Sequence, residues 1–435
     1  MSTLHAPLPP GQGETLFTVS SVPIKFGVGA LRELGADARG LGLCRVALFV
    51  DGHVLASPAG QTALASLRDA GVDVAIYDQI RCEPDSDSFE AAAAFARDGA
   101  FDGFVSLGGG SVIDTAKAAN LLSTYPDDLL AYINAPIGQA KPIPGKLKPH
   151  IACPTTCGTG SETTGITIVD LKSVGLKTGI ASPLLKPVLA IIDPTTTETL
   201  PGGVVASTGF DVLTHAVESY TARPFTSRPR PEHPGQRPPY QGSTPYNDIG
   251  SLAAIRLGGR YLARAVRDPS DLEARHQLMF ASTLAGLAFG SAGVHIPHAM
   301  SYSVATLRHE YSAQGYEDRE PMVPHGIAVV INAPAAFRFT AWANPSRHLE
   351  AAEALGVDVA GAGPDEAGER LASGFISLMR DTGLPNGLAD LGYGEADVPA
   401  LAKGAFAQQR PLVMAPCSVS LQDLEGLYRA AMRYW

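Results

Sequence analysis

The sequence predicts an α/β domain built on a parallel sheet, followed by a second domain made almost wholly of helices. Three observations carry this prediction. Over the first two hundred positions, short apolar runs alternate with alanine- and leucine-rich stretches of ten or more residues, the pattern of strands joined by crossover helices. Beyond about Leu200, strand-like runs become scarce and apolar residues recur at three- and four-residue spacing. A length of 435 residues also exceeds what one core usually organises. The expected division is 1–200 for the α/β domain and 201–435 for the helical domain.

In chain order, residues 45–51 (RVALFVD), 72–77 (VDVAIY), 101–107 (FDGFVSL), 151–153 and 189–193 (LAIID) read as strands, with helices over 60–70 and 88–98 between them. Helical spacing then covers 208–222, 247–266, 272–289 and 367–382. The segment 223–245 (RPFTSRPRPEHPGQRPPYQGSTP) is too rich in proline for regular helix and reads as a loop carrying Arg223, Arg228, Arg230 and Arg237.

Composition narrows the classes. Apolar residues make up 45 % and charged residues only 17 %, with a net charge of −10. So little charge implies much hidden surface, and a homo-oligomer, a dimer, is expected. No basic block offers nucleic acid a footprint. Apolar runs stop short of the ~20 residues of a membrane span, so no membrane partner is expected. Cys44, Cys82, Cys153, Cys157 and Cys417 form no CxxC pair, which suits a reducing compartment. Residues 1–15 lack an apolar stretch and an arginine, and a cytoplasmic location is the expectation.

Two glycine-rich turns carry the first functional signal. Gly108, Gly109, Gly110 and Ser111 follow a strand and open the helix VIDTAKAANLL, where bare amides and the helix dipole favour an anion such as a pyrophosphate. Ser111 is expected to cap this helix, with Asp114 in the capping-box position, and both join the three glycines as candidate cofactor-binding residues. The second turn, PTTCGTGSETTG at 154–165, gathers six hydroxyls and three glycines after a strand. Its neutral donors suit phosphate or ribose. Neither turn is a GxGxxG fingerprint or a P-loop, and Gly27-Val28-Gly29 has Arg32 where the third glycine would stand. Asp51, at a strand end, is a candidate for the adenosine ribose, favouring NAD over NADP.

The second signal is a set of metal-ligating side chains. Asp211 and His215 lie four apart in GFDVLTHAVESY and project from one helical face. His295 and His298 follow in GVHIPHAMSY, and His325 in VPHG. One carboxylate with three imidazoles suits Fe²⁺ or Zn²⁺.

Together, GGGSVIDTAKA, PTTCGTGSE, FDVLTHAVESY, HAM at 298–300 and PHG at 324–326 resemble the iron-containing alcohol dehydrogenase family over nearly the whole chain. The resemblance implies the dehydroquinate synthase-like fold, with metal and substrate in the cleft between its domains, and bound NAD(H). It implies metal ligation by Asp211, His215, His298 and His325, with Fe²⁺ favoured and Zn²⁺ the alternative. It places Thr155, Thr156, Thr159 and Ser161 near the nicotinamide and Lys177 near the ribose. The stretches YINAPIGQAKP, LKPHIACPTTCGTGSETTG, RPPYQGS and AGVHIPHAMSY, with the proline-rich insertion, are most similar to the hydroxyacid-oxoacid transhydrogenase branch. That branch implies oxidation of 4-hydroxybutyrate to succinic semialdehyde coupled to reduction of 2-oxoglutarate to 2-hydroxyglutarate. The alternative is a conventional NAD-dependent alcohol dehydrogenase that releases NADH.

One departure is visible. Ordinary members carry a second histidine four residues after the one matching His298, and here that position is Tyr302. Tyr302 or His295 are the candidates for a proton relay, with simple packing the preferred reading of Tyr302. Both acids of the branch reaction call for a cation, and Arg237 is the first candidate for carboxylate binding, with Arg308 and Lys141 behind it.

Overall fold

The computed structural model describes residues 11–435 except 173–174, 308–309 and 318–320. The chain divides into two compact units, one of Ser21–Leu200 and the other of Pro201–Trp435 together with 11–20.

In the first unit the chain runs β1 (Ile24–Phe26), α1 (Leu34–Gly40), β2 (Arg45–Val50), α2 (Gly52–Ala56), α3 (Pro58–Asp69), β3 (Asp73–Tyr77), α4 (Ser86–Asp98), β4 (Gly103–Gly108), α5 (Gly110–Thr124), α6 (Leu129–Tyr132) and β5 (His150–Pro154). The hairpin strands β6 (Ile166–Leu171) and β7 (Leu176–Ala181) follow, then β8 (Leu189–Ile192). Six strands form one sheet in the order β1-β8-β5-β4-β2-β3. Every pairing in it is parallel. Its central strands are buried on both faces: all of β4 and β5, and β2 after Arg45. That explains why they read as unbroken apolar runs instead of alternating ones.

Because β3 lies on one side of β2 and β4 on the other, the strand order reverses between β2 and β4. Ligands in open α/β sheets bind beyond the carboxyl ends of the strands at such a reversal. Both glycine turns sit at that end, since Gly108 closes β4 in register with Pro154 of β5. The antiparallel β6–β7 pair departs from the all-parallel expectation. β6 alternates buried and half-buried positions, and β7 carries lysine, threonine and glycine among its buried residues, so neither reads as a continuous apolar run.

In the second unit α7 (Gly202–Thr221), α8 (Pro245–Arg267), α9 (Leu272–Ala292), α10 (Ile296–Leu307) and α11 (His325–Val330) are the elements that matter for the site. α7 packs on both α8 and α9 and is buried on nearly every face after its first turn. A helix with no solvent face is a core helix, so its polar residues need partners inside. α9 and α10 meet at a 102° bend. Gly293 forms the corner at φ +89°, where an added Cβ would lie 2.8 Å from the Tyr240 ring. The helical stretch His325–Ala343 is long and apolar enough to cross a membrane by composition. However, 78 % of its apolar window is buried within the structure, as in a core helix.

The domain expectation differs at its start. Residues 11–20 pack with the second unit: the Glu14 N–H donates to Arg228 O at 2.8 Å, and the Gln241 side chain pairs with Thr18. Phe17 also meets Phe225 edge-on with ring centres 5.3 Å apart. Composition alone gives such a strap no assignment, because its partners lie more than two hundred residues away.

Candidate active site

The second unit brings the expected metal ligands together. Three imidazole nitrogens surround one carboxylate oxygen, Asp211 Oδ1: His298 Nε2 at 3.4 Å, His215 Nδ1 at 3.6 Å and His325 Nε2 at 3.8 Å. A tetrahedral ion with ligand bonds near 2.1 Å sets its ligand atoms roughly 3.4 Å apart, so these spacings fit a shared cation. Asp211, His298 and His325 offer ligand atoms that all lie within 4.8 Å of one another. His215 stands outside that triple, its ring stacked between Phe289, at 4.0 Å, and His298, at 4.4 Å. Asp211 Oδ1 and His298 Nε2 are buried and have no hydrogen-bond partner, the state of donor atoms that face an ion. Burial alone would raise the Asp211 carboxyl; instead His215, His325 and His298 hold it well below the usual carboxylate range.

Sequence reasoning missed Glu218. It lies seven residues after Asp211, on the same face of α7, and is fully buried. Its Oε1 accepts the backbone N–H groups of His295 at 2.8 Å and His298 at 3.2 Å, and its Oε2 pairs with His298 Nδ1. A carboxylate on Nδ1 fixes the tautomer that leaves the Nε2 lone pair for a metal. Burial pulls the His298 imidazole down, but Glu218 and Asp211 outweigh it and lift it to about 9, so without an ion the ring is held protonated and a bound cation would take the place of the Nε2 proton. The helical seven-residue spacing from Asp211 was the signal that could have found Glu218.

The relay expectation for His295 is corrected. The ring is fully buried, its Nε2 bonds Thr221 Oγ1 at 3.0 Å, and burial lowers it to about 4. A neutral, solvent-sealed imidazole is placed to brace the α9–α10 corner. Tyr302 lies 6.3 Å from His325, ring to ring and nearly parallel, and burial pushes its phenol up to about 12. It packs, and it stays protonated at neutral pH.

Among the substrate candidates, Arg237 is tied to Glu14 by a two-pronged ion pair at 2.7 and 3.3 Å, which corrects its assignment to a substrate. Lys141 pairs with Asp127 at the surface of the first unit. Arg308 lies outside the described residues.

In the first unit, α5 begins with Gly109 as its N-cap and no capping side chain. The expected cap at Ser111 therefore lies two residues too late, and its Oγ instead accepts the Glu83 N–H at 3.1 Å. An uncapped terminus of a long helix at the sheet's carboxyl edge fits an anion. The two glycine turns press together: a Cβ on Gly110 would lie 2.5 Å from Thr159 Cγ2, and one on Gly109 3.1 Å from Thr156 Cγ2. The Thr155 N–H donates to Gly108 O at 3.0 Å, locking them. Asp51 caps α2, its Oδ1 accepting from His53 and Val54 N–H, both at 3.0 Å.

Three expected cofactor contacts are engaged within the unit. Asp114 accepts from Ser161 Oγ and, at 2.8 Å, from Ile168 N–H. Buried Lys117, which the sequence reading passed over, donates to Ser161 O at 2.7 Å and Oγ at 2.8 Å. Asp114 and Ser161 thus shape the second turn from inside, which corrects their assignment to ligand contact. Lys177 is paired with Glu83.

Comparison with known proteins shows the family. Residues 22–194 match the family model described as iron-containing alcohol dehydrogenase, and 240–432 match the C-terminal model of the same family. The chain is 47 % identical over 421 residues to hydroxyacid-oxoacid transhydrogenase, mitochondrial, of Bos taurus, covering 96 % of this chain and 90 % of that one. It is 46 % identical to the Homo sapiens protein of that name, at the same coverage. Among solved structures, a 1,3-propanediol oxidoreductase aligns with TM-score 0.83 and 29 % identity over 96 % of this chain and 100 % of that one. A sulfoacetaldehyde reductase from Bifidobacterium kashiwanohense, in complex with NAD⁺, aligns with TM-score 0.78 and 26 % identity over 96 % and 99 %. The cytoplasmic expectation is overturned, because these transhydrogenase relatives are named as mitochondrial. The composition of residues 1–15 was too weak a basis for it.

Proposed function

The chain belongs to the iron-containing alcohol dehydrogenase family, oxidoreductases acting on CH–OH groups, and from that membership we propose that it is a hydroxyacid-oxoacid transhydrogenase. The proposed reaction oxidises 4-hydroxybutyrate to succinic semialdehyde and reduces 2-oxoglutarate to 2-hydroxyglutarate. The observation that carries this reading is the 46–47 % identity to transhydrogenases over 96 % of the chain.

The residues that would hold a divalent ion, Fe²⁺ in preference to Zn²⁺, are Asp211, His298 and His325, with His215 as the fourth. When bound, the ion supplies Lewis acidity at the substrate oxygen, and NAD(H) supplies a carrier for the hydride. The chain's own contribution is preorganisation. Asp211 brings one negative charge to three neutral donors. Glu218 orients His298 from behind, and the buried setting strengthens each of these interactions.

Tyr302 bears on the choice between the branch and a conventional dehydrogenase. A releasing dehydrogenase must pass one proton to solvent each turnover. In a transhydrogenation the hydride and the proton lost by the donor both end on the acceptor, so no net proton leaves. A buried phenol held near 12 in place of a histidine suits the second balance. For NAD, the proposed contacts are the uncapped start of α5 at 108–111 with Asp51, Thr155, Thr156, Thr159 and Lys177. A homodimer is proposed from the low charge content, and sedimentation velocity tests it.

The reaction is tested by incubating the metal-loaded protein with 4-hydroxybutyrate and 2-oxoglutarate, then measuring succinic semialdehyde, 2-hydroxyglutarate and NADH absorbance. Equal yields of the two products without net NADH are expected. Steady NADH accumulation from 4-hydroxybutyrate and NAD, with no need for 2-oxoglutarate, would establish the conventional dehydrogenase instead.

A further inference from the structure

A reaction between two acids needs a recognition element that a metal cluster does not supply: a cation that separates hydroxyacids from neutral alcohols of the same length. Many arginines of the second unit already have carboxylate partners, as Arg264 does with Asp271 and Arg338 with Glu369. Arg410, on the short helix Gln409–Leu412, is different. Its Nη1 is buried and has no hydrogen-bond partner. Two phenols, Tyr240 and Tyr302, act on it most strongly, both as hydrogen-bonding partners of the guanidinium. Its guanidinium carbon stands 5.0 Å from the centre of the Tyr240 ring.

The position is tied to the metal cluster by packing. Tyr302 is the link, since its ring lies parallel to His325 on one side and its hydroxyl faces Arg410 on the other. Tyr240 is fixed by the backbone around it: the N–H groups of Gln241 and Gly242 donate to Ser291 O and Ala292 O at 2.6 and 3.1 Å. These bonds hold the Tyr240 ring against Gly293, at the corner that leads into His295 and His298. A guanidinium whose Nη1 is sealed from water and left unpaired is costly. An arriving anion removes that cost, and the two hydroxyls add neutral donors beside it.

Resting on the reaction proposed above, we propose that Arg410, flanked by the hydroxyls of Tyr240 and Tyr302, anchors a carboxylate common to both substrates. The chemistry of the pair supports one shared anchor. In 4-hydroxybutyrate, two methylenes separate the carbinol carbon from the carboxylate. In 2-oxoglutarate, two methylenes separate the keto carbon from the distal carboxylate. A single cation at a fixed distance from the metal cluster therefore registers the reacting carbon of either molecule.

The test uses glutarate, which has the distal carboxylate but no carbonyl, titrated calorimetrically into the metal-loaded protein. Wild type is expected to bind it. Arg410→Met is expected to lose at least 30-fold in affinity while keeping wild-type metal content, and Arg410→Lys to recover part of the loss. The KM for 4-hydroxybutyrate should rise by a similar factor in Arg410→Met with kcat changed less than threefold. Failure of wild type to bind glutarate, or equal binding by wild type and Arg410→Met, overturns the proposal. So does a fall in kcat at unchanged KM. If Arg410→Met does not fold, Arg410→Lys and Arg410→Gln are read by the same criteria. Arg410-dependent glutarate binding in a protein that exchanges no hydride between the acids would instead leave the anchor standing and sink the transhydrogenase reading.

Discussion

Replacing Glu218 by glutamine keeps shape and volume and changes only charge and donor pattern, so it isolates what the carboxylate does behind His298. In the native arrangement one oxygen accepts two backbone N–H groups, at 2.8 and 3.2 Å, and the other faces Nδ1 of His298. A glutamine has one oxygen for these two jobs. If its oxygen stays on the amides, its NH₂ faces Nδ1, which must then accept. The imidazole proton moves to Nε2, 3.4 Å from Asp211 Oδ1, and no lone pair is left for a metal. If the amide turns round, its NH₂ opposes two buried donors, at a cost of about 1–3 kcal/mol for each. The first arrangement is cheaper, so the loss falls on metal binding. Partners behind a metal-bound histidine typically contribute 10- to 100-fold in affinity, equivalent to about 1.4–2.8 kcal/mol. The assay is chelator competition for Zn²⁺ or Fe²⁺, with the melting temperature of the metal-free protein as the control. A Glu218→Gln variant that binds metal within threefold of wild type would refute the tautomer argument.

Asp211→Ala removes the one negative charge among three imidazoles; metal analysis should show an empty protein, turnover should vanish, and circular dichroism should be unchanged. Gly110→Ala should weaken NAD binding at least tenfold, because its Cβ would press on Thr159 at 2.5 Å; adding Thr159→Ala should restore part of it, as read by fluorescence titration. His150 and His348 are buried and lowered to about 3 and 4, chiefly by burial. Each stays neutral in the fold while the unfolded chain takes up a proton near pH 6.5, so stability is full above about 6.5 and falls on acidification. The slope is about 1.4 kcal/mol per pH unit for each, and urea midpoints for His150→Asn between pH 7 and 4.5 should show a flatter fall. Arg237→Ala should leave the KM values of both acids unchanged and make the 11–20 strap more accessible to protease, since it breaks the Glu14 pair; a higher KM for either acid would return Arg237 to the substrate.

The fold was largely legible because its signals are local. β2, β4 and β5 announce themselves as apolar runs since both their faces are covered, α4 as an alanine-rich stretch and α9 by helical spacing. What failed depended on contacts distant in sequence. The β6–β7 pair interleaves polar residues and glycine with its apolar ones even where it is buried, and carries no run to notice. The helix start at Gly109 defeated the Ser111 cap because three glycines in a row leave the first turn undetermined by side chains. Asp114 and Ser161, forty-seven residues apart, satisfy each other, and no pattern in either segment announces it.

The candidate site divides along the same line. Asp211 and His215 are readable as a helical pair, but spacing gives only the face a residue occupies, not what waits there. On that one face of α7, Asp211 meets three nitrogens, His215 lies between two rings, and Glu218 meets the back of His298. The RPPYQGS stretch makes the same point. It was singled out for Arg237, the residue with the charge. Yet Arg237 closes a strap on Glu14, and it is Tyr240, three residues on, that the backbone pins beside the α9–α10 corner. Charge in a sequence marks what a residue could bind; only the partner already in place decides whether it is available. By that criterion the arginine to examine is the one with a sealed nitrogen and phenols for neighbours, and a sequence shows neither property.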